Sequence, residues 1–151
     1  MLRPALAFAA LAASLWPAAA LAADADYAVD LKKATVPVGE RGNASVIIST
    51  HGGWHFKAEA PLTLKLSPAK GVAVDKRMLD RADLALRNDT SAVFVVGVVA
   101  SGPGKKTMAA EAGFEICRED VCRPIKEKIK LEIMAAVRRK HATVKKPDAG
   151  P

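Results

Sequence analysis

From residue 27 onward the chain is a succession of short segments that alternate apolar with polar residues or run β-branched, cut apart by clusters of Gly, Pro, Asn and Asp. This punctuation limits the fold more than any other feature. Tyr27 to Lys33 alternates around Tyr27, Val29 and Leu31, as an edge strand does. Val36 to Asn43 is dense in turn formers. Ala44 to Thr50 is β-branched and reads as a strand, and His51-Gly52-Gly53-Trp54-His55-Phe56 reads as a turn or irregular crossing, since paired glycines oppose a helix. Leu62, Leu64 and Leu66 share one face of the next segment. Ser67 to Gly71 turns the chain, and Val72 to Val74 makes a short strand. For Met78 to Leu86 the pattern fits a helical turn and a short strand equally.

Ser91 to Ala100 is almost continuously apolar between two turn clusters, which predicts a buried central strand. Lys105 to Cys117 and Arg123 to Met134 form a last pair that meets at the cysteines. Seven or so such strands predict an all-β sandwich, with no βαβ crossover and no nucleotide-binding loop.

The two ends read differently. Residues 1–22 form an export signal: a positive start at Arg3, an apolar stretch from Ala5 to Leu15, and small residues at Ala20-Leu21-Ala22. Pro17 leaves the stretch too short for a permanent span, and no cysteine at the cleavage point offers a lipid anchor. The expected location is therefore the periplasm. Residues 24–136 form one domain, and residues 137–151 a basic tail expected to be disordered. The formal net charge is +7. Arg3 leaves with the signal and the tail carries +4, so the body holds only +2. The basic tail has no interleaved aromatics, so no nucleic-acid partner is expected.

The chain has two cysteines, Cys117 and Cys122, separated by Arg118-Glu119-Asp120-Val121. In an exported chain they should pair as a disulfide across a hairpin. Closing so short a loop stabilises by only ~2 kcal/mol on the chain-entropy model. The bridge thus reads as a structural pin or as a thiol–disulfide exchange couple, and the residues alone leave both open. Arg118 and Arg123 favour a thiolate, whereas Glu115, Glu119 and Asp120 oppose one. His51 and His55, with the cysteines, are candidate ligands for zinc or copper. Gly52-Gly53 spoils the helical spacing such a His pair wants, and oxidation removes the thiolates, so no metal is expected. No Gly-x-Ser-x-Gly elbow or acid/base pair points to hydrolysis. Asn43-Ala44-Ser45 and Asn88-Asp89-Thr90 match the glycosylation triplet, a pattern that arises often by chance.

Three stretches resemble the N-terminal periplasmic domain of the thiol:disulfide interchange protein DsbD. They are Gly53-Trp54-His55-Phe56-Lys57-Ala58-Glu59-Ala60-Pro61-Leu62, then Leu64-Lys65-Leu66-Ser67-Pro68-Ala69-Lys70-Gly71-Val72, and the cysteine hairpin Cys117-Arg118-Glu119-Asp120-Val121-Cys122-Arg123-Pro124. The resemblance extends over about residues 44–135. The resemblance implies an immunoglobulin-like β-sandwich with an active-site hairpin, and a protein-disulfide reductase-type component. Catalytic Cys122 would form mixed disulfides and catalytic Cys117 would resolve them. It implies no bound cofactor, since the sulfurs carry the electrons. The implied partners are thioredoxin-fold periplasmic proteins, including disulfide isomerases and cytochrome c maturation factors, with a separate membrane-embedded electron donor; the domain itself is expected to be a monomer. These 151 residues hold no second long apolar stretch and no Cys-x-x-Cys, so the transmembrane channel and thioredoxin-like domain that accompany this domain in the family are expected on separate proteins.

Overall fold

The computed structural model describes residues 25–138. The export signal and all but the first two residues of the basic tail lie outside them. Eleven strands are formed: β1 (Tyr27–Lys32), β2 (Ala34–Pro37), β3 (Arg41–Thr50), β4 (His55–Phe56), β5 (Thr63–Ser67), β6 (Val72–Val74), β7 (Met78–Leu79), β8 (Leu84–Arg87), β9 (Ser91–Ala100), β10 (Gly104–Arg118) and β11 (Val121–Ala136). One sheet has the order β1-β3-β9-β6, with β8 also paired to β9; the other runs β2-β11-β10-β5-β7, with β4 also paired to β10. The fold is the expected all-β, immunoglobulin-like sandwich. Among the described residues no helix is long and apolar enough to cross a membrane.

The core lies between the sheets and follows the period of two that strands impose. Val46, Ile48, Phe94, Val96 and Val98 enter it from one sheet, and Leu64, Met108, Phe114, Ile116, Leu131 and Ile133 from the other. Ala44, Ala92, Ala110, Ala112 and Ala135 are equally buried and bring the sheets close where larger side chains do not fit. Strand β9 is central, as its apolar run predicts, but it is buried on one side only. Val95 on its other face is 37% exposed. An antiparallel sheet covers one face with its partner sheet and leaves the other open.

Four segments differ from the sequence reading; one is His51 to Phe56, read as a turn, whose last two residues form strand β4 beside β10. The turn-rich stretch after Lys33 contains a real strand, β2, which runs parallel to β11 from Ile133↔Ala34 to Ala136↔Pro37. Pro37 is tolerated because it ends an edge strand, where its missing N–H costs no ladder bond. Strand β3 then begins at Arg41, three residues early. Met78 to Arg87 holds both of the alternatives: two short strands flank a 3-10 turn at Arg81–Asp83. That turn is capped at Asp80, whose side chain accepts from the Ala82 N–H while Asp83 accepts from the Asp80 N–H.

Candidate functional site: the disulfide hairpin

The last two strands form the longest hairpin among the described residues, β10 of 15 residues and β11 of 16. They stay in register from Gly104↔Ala135 to Arg118↔Val121. The connecting loop is two residues, Glu119 and Asp120, and Glu119 takes a positive φ of 53°. Strand pairing therefore continues past the cysteines. Cys117 and Cys122 are direct partners with Cα atoms 4.1 Å apart, and they are joined as a disulfide. In an antiparallel ladder, close pairs of this kind bring side chains nearest and suit a cross-strand bridge.

The two sulfur-bearing residues differ in exposure. Cys117 is 5% exposed, because β10 is flanked there by β11 on one side and by β4 on the other, with His55 opposite Cys117. Cys122 is exposed, since β11 has no second neighbour along this stretch: β2 joins it only from Ile133 onward.

Neighbouring residues of a strand project to opposite faces, which separates the charges around the bridge into two sets. Arg118 and Arg123 adjoin the cysteines in sequence but turn to the face away from the sulfurs. Their guanidinium carbons lie 4.9 and 4.5 Å from the centre of the Trp54 ring. Arg123 also pairs with Asp26, just before β1. Trp54 itself is 5% exposed. It is held by a tight turn in which Gly52 and Gly53 have φ of 61° and 80°, values that a side chain opposes. The Trp54 carbonyl accepts from the Thr50 hydroxyl at 2.7 Å. Cation–π contact on both arginines thus ties the hairpin end to the β3–β4 turn.

On the sulfur face the nearest charge is a carboxylate. One oxygen of Glu115 lies within 4.8 Å of both sulfurs. Lys57 balances it, with its Nζ 3.1 Å from Glu115 Oε1. The sequence left the sign of the local field open. The fold directs the two arginines to Trp54 and places a neutralised Glu115–Lys57 pair beside the bridge.

Further along the hairpin, the Tyr27 hydroxyl donates to Glu127 Oε2 at 2.7 Å, and its ring meets Phe114 edge-on with centroids 5.3 Å apart. The hydrogen bond to Glu127, together with burial, raises the Tyr27 phenol above its ordinary value. Asp26 and Tyr27 together fasten the start of β1 to β11 across the open side of the sandwich. This link is absent from any local sequence pattern, since its partners stand about a hundred positions apart.

Of the candidate metal ligands, His55 lies beside Cys117 in the ladder, whereas His51 sits in the turn before Trp54. The geometry does not assemble the two histidines and two cysteines into one set among the described residues.

No family model matches the sequence, and no curated protein does. Solved structures similar in fold share 12% identity with the chain. One is AggA, the major subunit of aggregative adherence fimbriae type I from Escherichia coli, with a TM-score of 0.36, 74% of this chain covered and 97% of that one. Another is the E. coli alpha-2-macroglobulin in its native conformation, with a TM-score of 0.43, 74% of this chain covered and 7% of that one. The PapD-like domain of human CEP192 aligns with a TM-score of 0.35 over 74% of this chain and 86% of its own. These likenesses are to strand architecture and say nothing of chemistry at the hairpin.

Proposed function

We propose that this protein is an exported thiol–disulfide exchange domain in which Cys117 and Cys122 pass electrons to thioredoxin-fold partners, as the resemblance to the DsbD N-terminal domain implies. The supporting observation is the unequal exposure of the bridge: Cys122 open to solvent, Cys117 enclosed between β4 and β11. In the reduced pair, the Cys122 thiolate attacks a sulfur of the partner's disulfide and releases one partner thiolate. The Cys117 thiolate then attacks the Cys122 sulfur of the mixed disulfide and releases the second. Two electrons leave with the partner, and the domain is left oxidised. A separate thiol donor, membrane-embedded in this reading, reduces it again.

A second reading is favoured by the fold taken alone. A disulfide that pins the end of a long hairpin in a β-sandwich is all that a non-enzymatic binding or adaptor module needs, and the disulfide with the sandwich is what is established here. The reduction potential decides between them. Equilibration against glutathione or dithiothreitol, with alkylation of free thiols, should give a value between roughly −120 and −270 mV for an exchange couple. A value below about −300 mV marks a structural bridge and overturns the exchange reading.

A further inference from the structure

The outer face of the β10 sheet carries a trough that leads to the disulfide. Residues of β10 that share the sulfur face with Cys117 are Glu115, Gly113, Glu111 and Ala109, two apart along the strand. Gly113 and Ala109 leave the strand low between its neighbours. A Cβ on Gly113 would stand 3.0 Å from the Thr63 hydroxyl. Opposite them in register lie Lys126, Lys128 and Lys130 on β11, and Thr63, Lys65 and Ser67 on β5. Two hollows result, of about 230 and 340 Å³. The first is bounded by Pro61, Thr63, Glu115, Pro124 and Lys126, the second by Lys65, Ser67, Glu111, Lys128 and Lys130. They follow one another along β10. From Ala109 to Cys117 the strand runs about 27 Å at ~3.4 Å per residue.

The charge of this trough is predominantly positive. Among the described residues, Lys65, Lys126, Lys128 and Lys130 take part in none of the ion pairs. Of the two carboxylates on this face Glu115 is matched by Lys57, and Glu111, opposite Lys65 and Lys128, is also outside the ion pairs, so the lysines outnumber the open carboxylate four to one. Lysines on a free strand edge also discourage pairing with other chains, which accounts for the three on β11. It does not account for Lys65, since β5 lies inside the sheet between β10 and β7.

The geometry points to a docking groove for an extended acidic segment of a partner protein, laid along β10 toward the Cys117–Cys122 bridge. The length and concavity suit an extended chain, and four unmatched lysines suit carboxylates spaced along it. The chain's own C-terminal tail has the same sign as the lysines and is no candidate occupant. A membrane surface fits less well. Of the exposed large apolar residues, Met78 stands beside Lys65 as its cross-strand partner, while Leu31, Leu86, Val121 and Met134 do not border the hollows, so one methionine but no apolar patch accompanies the charge. The proposal rests on the exchange reading only for the reaction at the end of the groove; binding along it stands separately.

The test uses the exported chain and a fluorescein-labelled twelve-residue peptide rich in Glu and Asp, followed by anisotropy at low salt, with a Gln/Asn counterpart as control. The acidic peptide should bind at least ten-fold more tightly than the neutral one. K126E/K128E/K130E, and the milder K126Q/K128Q/K130Q should the first not fold, should each remove that preference. C117S/C122S should keep it, so that loss of exchange and loss of docking are read apart. Equal binding of the two peptides, or binding indifferent to the lysine variants, overturns the groove. So does lysine-dependent binding to phosphatidylglycerol vesicles without binding of the acidic peptide.

Discussion

Cys117 and Cys122 face each other across the β10–β11 ladder at a Cα separation of 4.1 Å, yet one is 5% exposed and the other open to solvent. The inequality comes from neighbours: β4 covers the far side of Cys117, and among the described residues no strand pairs with the side of β11 away from β10 until β2 joins at Ile133. A single bridge thus has an accessible end and a guarded one. In the exchange reading, C117S leaves Cys122 to trap partners as a stable mixed disulfide, whereas C122S traps little. Equal trapping by both variants, read on non-reducing gels, would remove the distinction between attacking and resolving sulfur.

Removing the bridge should cost little stability. The closed loop is short, so C117S/C122S is expected to lose no more than ~2 kcal/mol. The ladder on either side, Ile116↔Arg123 and Arg118↔Val121, remains to hold the strands in register. Urea denaturation of the oxidised parent and the double variant measures the difference.

Trp54 should matter more to the hairpin than the disulfide does. Trp54→Ala removes a 5% exposed indole and the surface on which Arg118 and Arg123 rest, and is expected to cost about 3–5 kcal/mol. Trp54→Phe should cost less than about 1.5 kcal/mol, because among the described residues the buried indole N–H has no hydrogen-bond partner to lose. Chemical denaturation followed by far-ultraviolet circular dichroism compares the two without relying on the tryptophan signal.

Acid should weaken the fold through Glu132. Hydrogen bonds from Lys105 and Lys33, at 2.6 and 2.7 Å, lower its carboxyl from 4.5 to about 2. A depressed folded-state value means the contribution is complete above pH 4.5 and is lost as pH falls toward about 2. Tyr27 works in the opposite sense. Its raised phenol contributes below its ordinary value of 10.0 and loses that contribution as it ionises at higher pH. Melting temperatures from pH 2 to 5 should fall less steeply in E132Q than in the parent, and Y27F should flatten the alkaline limb. Unchanged acid limbs in the two proteins would discard the Glu132 account.

Gly42 marks where the sheets come closest on the β2 side. A Cβ there would overlap Val36 Cγ1 of the opposite sheet, and Val36 is 1% exposed. Gly42→Ala should therefore destabilise by about 1–3 kcal/mol, with part recovered in the double variant Gly42→Ala/Val36→Ala. Thermal unfolding of the three variants reads this directly.

Local pattern was sufficient for much of this architecture. The β-branched run Ala44–Thr50 named a strand, the alternation of Leu62, Leu64 and Leu66 named a strand and its inner face, and the apolar run of Ser91–Ala100 named the central strand. The spacing of Cys117 and Cys122 named their hairpin. Each depends on residues close in sequence, where the pleat alone decides which side chains share a face. Strand β2 was hidden because its identity comes from Ile133–Ala136, its parallel partner about a hundred residues away, while Pro37 and Gly39 speak locally for a turn. The same reason governs the site. That Arg118 and Arg123 rest on Trp54, that His55 flanks Cys117 and that Lys57 neutralises Glu115 all follow from β4 docking beside β10. The sequence determined the strands, the bridge and the faces of the hairpin. Only the packing of distant segments decided which sulfur is guarded, which charges surround it and where a trough could run, because long-range neighbours are chosen by burial and shape rather than by spacing along the chain.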